Sequence, residues 1–176
     1  ALRCYENAYE AAEDDFGRAK ARTGTGSVYN QLARFDDAIK HYDEALRLLG
    51  APRAKTAIGK LLSLAAKTAR VLFVPPRWQR AGSEGERGRA VLRHEALVRM
   101  PYFLVEKDVA ATFDAILAGS LAAFRTGGPT RVAHGYAQAA EVYSAFGLGW
   151  VGNLLLRRSA RIGAERNDPD ALGTLL

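Results

Sequence analysis

Small and aromatic side chains alternate between Gly26 and Gly50 at spacings of three to six residues. The small residues are Gly26, Ala38 and Ala45, and the aromatic residues are Tyr29, Phe35 and Tyr42. In the second half of the segment the apolar residues recur every three or four positions, which is typical of one buried helix face. Gly50, followed by Pro52, ends that helix. Residues 18–50 are therefore predicted to form two helices that pack closely against each other.

Two glycines lie inside the first of these predicted helices, where each opposes helix formation by roughly 1 kcal/mol relative to alanine. At Gly26 we expect the second helix to approach so closely that only glycine fits. The sequence offers no comparable reason for Gly24.

The rest of the chain predicts more helices, because no stretch has the alternation of apolar and polar residues that marks a strand. Residues 1–13 repeat, with Ala1, Tyr5 and Ala8, the alanine–tyrosine–alanine spacing of the second helix, and are interpreted as part of a preceding unit. The later segments are predicted as an extra helix over 54–73, a loop over 74–88, weaker hairpins over 89–125 and 130–166, and a truncated cap over 168–176. From residue 77 onward the loop is polar and rich in glycine, and is expected to be mobile.

The predicted helix 54–73 carries apolar and basic residues on opposite sides. The apolar side consists of Ile58, Leu61, Leu62, Ala65, Ala69, Leu72 and Phe73. The basic side consists of Lys60, Lys67 and Arg70. We expect the apolar side to cover the neighbouring helices, since a buried apolar stripe provides most of the stability of a surface helix. The alternative is a helix that lies on an anionic membrane surface.

The order of small and aromatic residues in 18–50 resembles a tetratricopeptide (TPR) unit, which recurs with a period of about 34 residues. This resemblance implies an all-α fold in which antiparallel helical hairpins stack as a short TPR-like solenoid. We therefore expect residues 1–176 to form a single helical-repeat domain, interrupted by one long helix and a glycine-rich loop.

A more specific likeness covers nearly the whole chain. It rests on HYDEALRLLG followed by APR, on VLFVPP, on the GGP stop and on GYAQAAEVYSAFGLGW. These segments resemble the helical-repeat region that follows the NTPase module in large bacterial signalling ATPases, many of which carry an adenylate or guanylate cyclase domain. The resemblance implies a cytoplasmic regulatory arm that is a fragment of a larger protein. Because the phosphate loop and the cyclase residues are missing from the sequence, we expect no catalysis by this segment.

The TPR resemblance also implies a partner-binding groove, since the first helices of such units line an inner surface. Carried over unit by unit, the groove positions are Lys20, Thr23, Ser27, Asn30, Gln31, Arg93, Met100, Phe103, His134 and Glu141. This set departs from the lysine and asparagine arrangement with which chaperone-binding members grip a terminal carboxylate. The alternative is that some of these side chains pack beneath the loop or against neighbouring helices.

Charge permits a second functional class. The chain carries a formal net charge of +6, with −4 in residues 1–16 and therefore +10 in the remainder, most of it arginine. Such a surface permits binding to nucleic acid, which is the alternative to the expected protein or peptide partner. The expected partner is a separate protein or peptide, or another domain of the same chain. Neither nucleic acid nor a membrane is expected as the main partner.

No group of residues has the spacing of a catalytic or metal site. Cys4 is the only cysteine, and His41, His94 and His134 share no ligand spacing. The segment 50–56 departs from a phosphate-binding loop, because Ala54 stands where that loop requires glycine. We therefore expect no metal and no cofactor, and we interpret the chain as a non-catalytic interaction or scaffolding module.

Overall fold

Helices make up all the regular secondary structure of the residues that the computed structural model describes, which are 1–105 and 107–164. In chain order they are α1 (Leu2–Ala11), α2 (Asp15–Gln31), α3 (Phe35–Leu48), α4 (Ala57–Phe73), α5 (Pro76–Gln79), α6 (Glu84–Arg99), α7 (Pro101–Leu104), α8 (Val109–Thr126), α9 (Pro129–Ala145) and α10 (Gly149–Ala164). The expected all-α class is confirmed. The predicted cap over 168–176 lies outside the described residues.

Side-chain caps explain where several helices begin. Asp14 accepts a hydrogen bond from the Gly17 backbone N–H at 2.8 Å, and Asp108 accepts one from Ala111 at 2.9 Å. Thr56 caps α4 through the Gly59 N–H at 3.1 Å. Each bond satisfies one of the donors that the first turn of a helix leaves without a partner.

The segment predicted as a mobile loop, 74–88, contains helical structure. Pro76 starts the short helix α5, and α6 already begins at Glu84, where the Ser83 hydroxyl accepts from the Glu86 N–H at 3.2 Å. The prediction of a loop throughout was wrong because a serine followed three residues later by glutamate is a helix start. At its other end α6 stops at Arg99, and Pro101 begins α7, so the first helix of the predicted hairpin 89–125 is divided in two.

The helices pack in chain order as antiparallel pairs. α2 pairs with α3, α6 with α8, and α9 with α10, while α1 lies against α2. α6 also contacts α2 and α3, and α8 is the central helix, in contact with α4, α6 and α9. By length and composition alone α8 is apolar enough to cross a membrane, and 56% of it is buried here among its neighbours.

Small residues allow the closest helix contacts. A Cβ atom at Gly26 would lie 2.8 Å from Cε1 of Tyr42, so the expected approach of α3 to α2 at this glycine is confirmed. Gly24 has the same explanation on the opposite side, because a Cβ there would lie 2.2 Å from Cε1 of Tyr5 on α1. Both glycines thus offset their low helix propensity by admitting an aromatic ring.

The orientation of α4 is the main correction to the predicted fold. Ile58, Leu61, Leu62 and Phe73, which were expected to be buried, are 72%, 63%, 67% and 79% exposed. The opposite side of the helix, with Lys60, Leu64, Lys67 and Val71, faces α8 and the core. Lys60 and Lys67 turn inward because α8 and its N-cap supply carboxylates there, Asp108 and Asp114.

Candidate interaction surfaces

Side-chain contacts link α2, α6 and α9, the first helix of each hairpin. Nη1 of Arg99 on α6 donates a hydrogen bond to the Ser27 hydroxyl on α2. The rings of His94 on α6 and His134 on α9 meet edge to face, with their centroids 6.1 Å apart. We call the exposed side chains of α2, α6 and α9 the first-helix surface.

Six of the ten expected groove residues reach this surface. Lys20, Gln31 and Glu141 are exposed, and Ser27, Asn30 and His134 are half-buried. Their side chains are charged or polar, so this surface suits hydrogen bonding and ion pairing with an extended or helical peptide rather than the burial of a large apolar anchor.

The other four expected groove residues lie elsewhere. Met100 is 0% exposed and belongs to the core, and Thr23 is buried, with its hydroxyl bonded to the Ala19 carbonyl at 2.9 Å. The ring of Phe103 stacks on Phe35 at 4.5 Å, and a guanidinium nitrogen of Arg93 donates to the Leu49 carbonyl. These residues correct the groove assignment, because Met100, Phe103 and Arg93 contact other elements and Thr23 is buried and bonded within its own helix.

His94 is a buried histidine whose pKa is lowered in the folded protein. Burial is the main cause, and the hydrogen bond to the Gly119 carbonyl opposes it. The nearby His134 and Arg131 lower the pKa further, and Glu95 opposes them. Its Nδ1 lies 3.0 Å from the Gly119 carbonyl oxygen, which accepts only, so this nitrogen carries the proton. Among the described residues no three His, Cys, Asp or Glu side chains come close enough together to hold a metal ion.

The outward side of α4 is a second surface, which we call the α4 face. It consists of Ile58, Leu61, Leu62, Ala65, Ala66, Ala69 and Phe73, all exposed. The lysines of the helix are engaged on the opposite side, where Lys60 pairs with Asp108, and Nζ of Lys67 lies 2.6 Å from Oδ1 of Asp114. The hydrogen bond from Lys60 lowers the pKa of Asp108, as does the backbone N–H of Ala111. The amphipathic pattern of α4 is thus inverted relative to that of an ordinary surface helix.

Basic residues from different elements meet in two cavities. The smaller, of about 260 Å³, lies among α4, α6, α8 and the loop before α4, and we call it the arginine cavity. Its charged lining residues are Arg53, Lys67, Arg70, Arg93 and Arg125. The larger, of about 540 Å³, is a cleft whose charged lining residues are Arg77, Arg80, Arg158 and Arg161. The sequence pattern predicts neither cavity, because the lining arginines are separated by up to 84 positions and share no local motif.

Comparison of the chain with protein-family models, with curated proteins and with solved structures finds no significant match.

Proposed function

We propose that this protein is a non-catalytic interaction module of the TPR-like helical-repeat type, which serves as a scaffolding or regulatory arm of a larger bacterial signalling ATPase or nucleotide cyclase. The three successive hairpins and the glycine–tyrosine contact of α2 with α3 support the repeat architecture. The observation that carries an interaction function is the α4 face, since soluble proteins rarely expose a contiguous apolar surface of this kind without a binding role.

The α4 face has the composition of an interface. Four large apolar side chains on it are more than three-fifths exposed, and its central positions are the small residues Ala65, Ala66 and Ala69. Lys60 and Lys67 do not interrupt it, because they form ion pairs on the inward side, and the exposed Arg70 lies at its edge. Depletion of charge at the centre is the compositional mark of a protein interface.

The occupant that we propose for this face is the α4 face of a second copy. In an antiparallel pair with its two-fold axis between Ala65 and Ala66, Leu62 lies opposite Ala69 of the other copy, and Ile58 lies opposite Phe73. Large side chains then meet small ones near the axis, which makes the surface complementary to itself. The face exposes on the order of 600 Å² per copy, close to the about 800 Å² that one partner contributes to a standard interface.

Sedimentation equilibrium over a hundredfold range of protein concentration tests this pairing. The natural sequence is expected to form dimers, and Leu62→Glu is expected to be monomeric, because it would place a charge in the apolar interface. The matched control is Leu154→Glu on α10, which also replaces an exposed leucine and should leave the dimer intact.

A natural chain that is monomeric at every concentration would overturn the proposed pairing, and so would a dimer that Leu154→Glu dissociates and Leu62→Glu does not. If the monomeric chain also co-sediments with neutral phospholipid vesicles in a Leu62-dependent way, the α4 face is assigned to a membrane.

The first-helix surface is the proposed site for a protein or peptide partner. Replacing the exposed Lys20 and the half-buried Asn30 by alanine should weaken capture of that partner by at least fivefold while leaving the helical circular dichroism unchanged. Equal capture by the double variant and the natural chain would remove this surface from the proposal.

Nucleic-acid binding is the alternative function, and the salt dependence of binding distinguishes it from the proposed protein binding. Phosphate contacts make the logarithm of affinity fall by about 0.9 per logarithm of salt for each duplex phosphate neutralised. Several arginines are already paired with carboxylates: Arg22 with Glu44 at 2.8 Å, Arg34 with Asp37 at 2.6 Å and Arg53 with Asp43 at 3.4 Å. We therefore expect fluorescence anisotropy to show little binding of labelled duplex DNA or RNA at 150 mM salt. Tight binding with a steep salt slope would favour the alternative.

A further inference from the structure

The arginine cavity brings five basic side chains to one partly open space. Arg53 comes from the loop after α3, Lys67 and Arg70 from α4, Arg93 from α6 and Arg125 from α8. Among the described residues that line the cavity there is no aspartate or glutamate. Side chains from four elements thus place positive charge around a volume of about 260 Å³.

Lys67 and Arg53 are paired with carboxylates, and Arg93 has one backbone partner. Nζ of Lys67 lies 2.6 Å from Oδ1 of Asp114, and Nε of Arg53 lies 3.4 Å from Oδ1 of Asp43. Arg93 donates through one terminal nitrogen to the Leu49 carbonyl. That bond leaves the rest of the Arg93 guanidinium available to the cavity.

Two donors at the cavity have no acceptor. The Nε atoms of Arg93 and Arg125 are both inaccessible to solvent, and neither has a hydrogen-bond partner among the described residues. Native structures pair nearly all such buried donors, so an unpaired one calls for an explanation such as a bound ion.

The two guanidinium groups also repel each other. Burial lowers the pKa of Arg93, and the charges of Arg125 and Arg89 lower it further. An anion held by the guanidinium groups of Arg93 and Arg125 would turn this repulsion into two attractions.

We propose that the arginine cavity binds a small, multiply charged oxyanion of the phosphate class, held between Arg93 and Arg125. The planar guanidinium presents parallel N–H donors that match the oxygen spacing of a phosphoryl group. The volume lies below the about 300–1,000 Å³ of sites for drug-sized molecules, so the ligand is one phosphate or the phosphoryl end of a larger compound. This site is separate from the surfaces assigned to protein partners above.

Calorimetric titration and thermal unfolding in sodium phosphate, with sodium chloride at matched ionic strength as reference, test the proposal. Phosphate should bind the natural chain and raise its melting temperature more than chloride does. Arg125→Gln should weaken phosphate binding about tenfold or more, and should melt no lower than the natural chain in phosphate-free buffer, because the repulsion of Arg93 is removed. Arg157→Gln, which replaces an exposed arginine on α10, should bind phosphate as the natural chain does.

An equal response of the natural chain and Arg125→Gln to phosphate would overturn the proposal. A response that survives in Arg125→Gln and is lost in Arg158→Gln would also overturn it, since the ion would then occupy the larger cleft. A measurement on the natural chain avoids dependence on variant folding. Phosphate, and not chloride, should shift two slowly exchanging arginine Nε–H signals in ¹⁵N-edited spectra, and unshifted signals would refute the site.

The source of the phosphoryl group follows from a second titration with glycerol phosphate. Binding of inorganic phosphate alone supports a free ion as the ligand, and binding of both supports the phosphoryl end of a larger molecule. Binding of neither contradicts the assignment.

Discussion

In the first hairpin, Gly26 on α2 faces the aromatic ring of Tyr42 on α3. The space for Tyr42 exists only because Gly26 has no Cβ atom. We predict that Gly26→Leu destabilises the fold by about 1–3 kcal/mol through overpacking. Tyr42→Ala, at a fully buried position, should cost about 3–5 kcal/mol through a cavity. Urea unfolding measures both.

The matched control for this contact is Gly85→Ala in the first turn of α6. No atom lies within 4 Å of a Cβ built at Gly85, so this variant should be as stable as the natural chain or slightly more stable. If Gly26→Leu unfolds at the same urea concentration as Gly85→Ala, α3 does not pack against α2 at Gly26.

A second prediction at the residue scale concerns pH. The pKa values of His94 and His41 are both lowered in the folded protein, in each case first by burial. Below about pH 6.5, the ordinary histidine pKa, the unfolded chain binds protons that the folded chain does not. Stability is therefore expected to fall as the pH is lowered from 7.5 to 5.5, and thermal unfolding at a series of pH values measures the slope.

Substituting each histidine separately measures its contribution to this slope. His94→Asn retains an N–H donor for the Gly119 carbonyl but does not titrate, so it should flatten the slope. His41→Gln should remove the contribution of the α3 histidine. A slope unchanged in the double variant would show that other groups control the pH dependence.

For single residues, the sequence predicts contacts within one hairpin and misses contacts between distant segments. The repeat pattern predicts the close approach of the second helix at Gly26, because both helices belong to one hairpin. It assigns Met100 to the groove and misses its complete burial, which depends on the break before Pro101 and on contacts with α3 and α8. The partner of Gly24, likewise, is a tyrosine on a different helix.

At the scale of elements, α4 shows which information is local and which is not. α4 starts at Ala57, capped by Thr56, three residues later than predicted. Its end at Phe73 and its division into an apolar and a basic side follow from the sequence. The side that faces inward does not, because it depends on Asp108 and Asp114, about 50 positions further along the chain. The start of α6 is the opposite case, since its signal at Ser83 and Glu86 is local.

The inward ion pair of α4 gives a prediction of its own. The side chain of Asp114 is 4% exposed, so removing either partner leaves a charge with little access to water. Asp114→Ala and Lys67→Met should each destabilise by about 1–3 kcal/mol, less than the about 3–5 kcal/mol for a fully buried pair, because Lys67 is partly exposed. The double variant should lose less than the sum of the two, as measured by urea unfolding in a double-mutant cycle.

An exposed pair on α3 is the control for this cycle. Lys40 and Asp37 lie 3.3 Å apart at the surface, and Lys40→Ala should change stability by no more than about 0.5 kcal/mol. Additive effects of the Lys67 and Asp114 substitutions would mean that the pair does not hold α4 in its inverted orientation.

At the scale of the whole molecule, α4 connects the features for which we propose functions. Its outward side is the surface proposed for a second copy, and Lys67 and Arg70 on the same helix line the arginine cavity. The helices before and after it pair with near neighbours in the sequence, while α4 packs on the outside of α8. A helix that keeps its lysines inside and its apolar side outside costs the isolated chain stability, unless something covers that side.

The stability of the natural chain is therefore predicted to depend on its concentration. If folded copies pair through the α4 face, mass action stabilises the pair, and each tenfold dilution lowers the free energy of unfolding by up to about 0.7 kcal/mol per chain, half of the about 1.4 kcal/mol that a factor of ten represents. Thermal unfolding at several protein concentrations should therefore give a melting temperature that rises with concentration. In Leu62→Glu the melting temperature should be constant, and in Leu154→Glu it should rise as in the natural chain. A melting temperature independent of concentration in all three chains would mean that the α4 face is stable against water on its own, and the self-association proposal would be wrong.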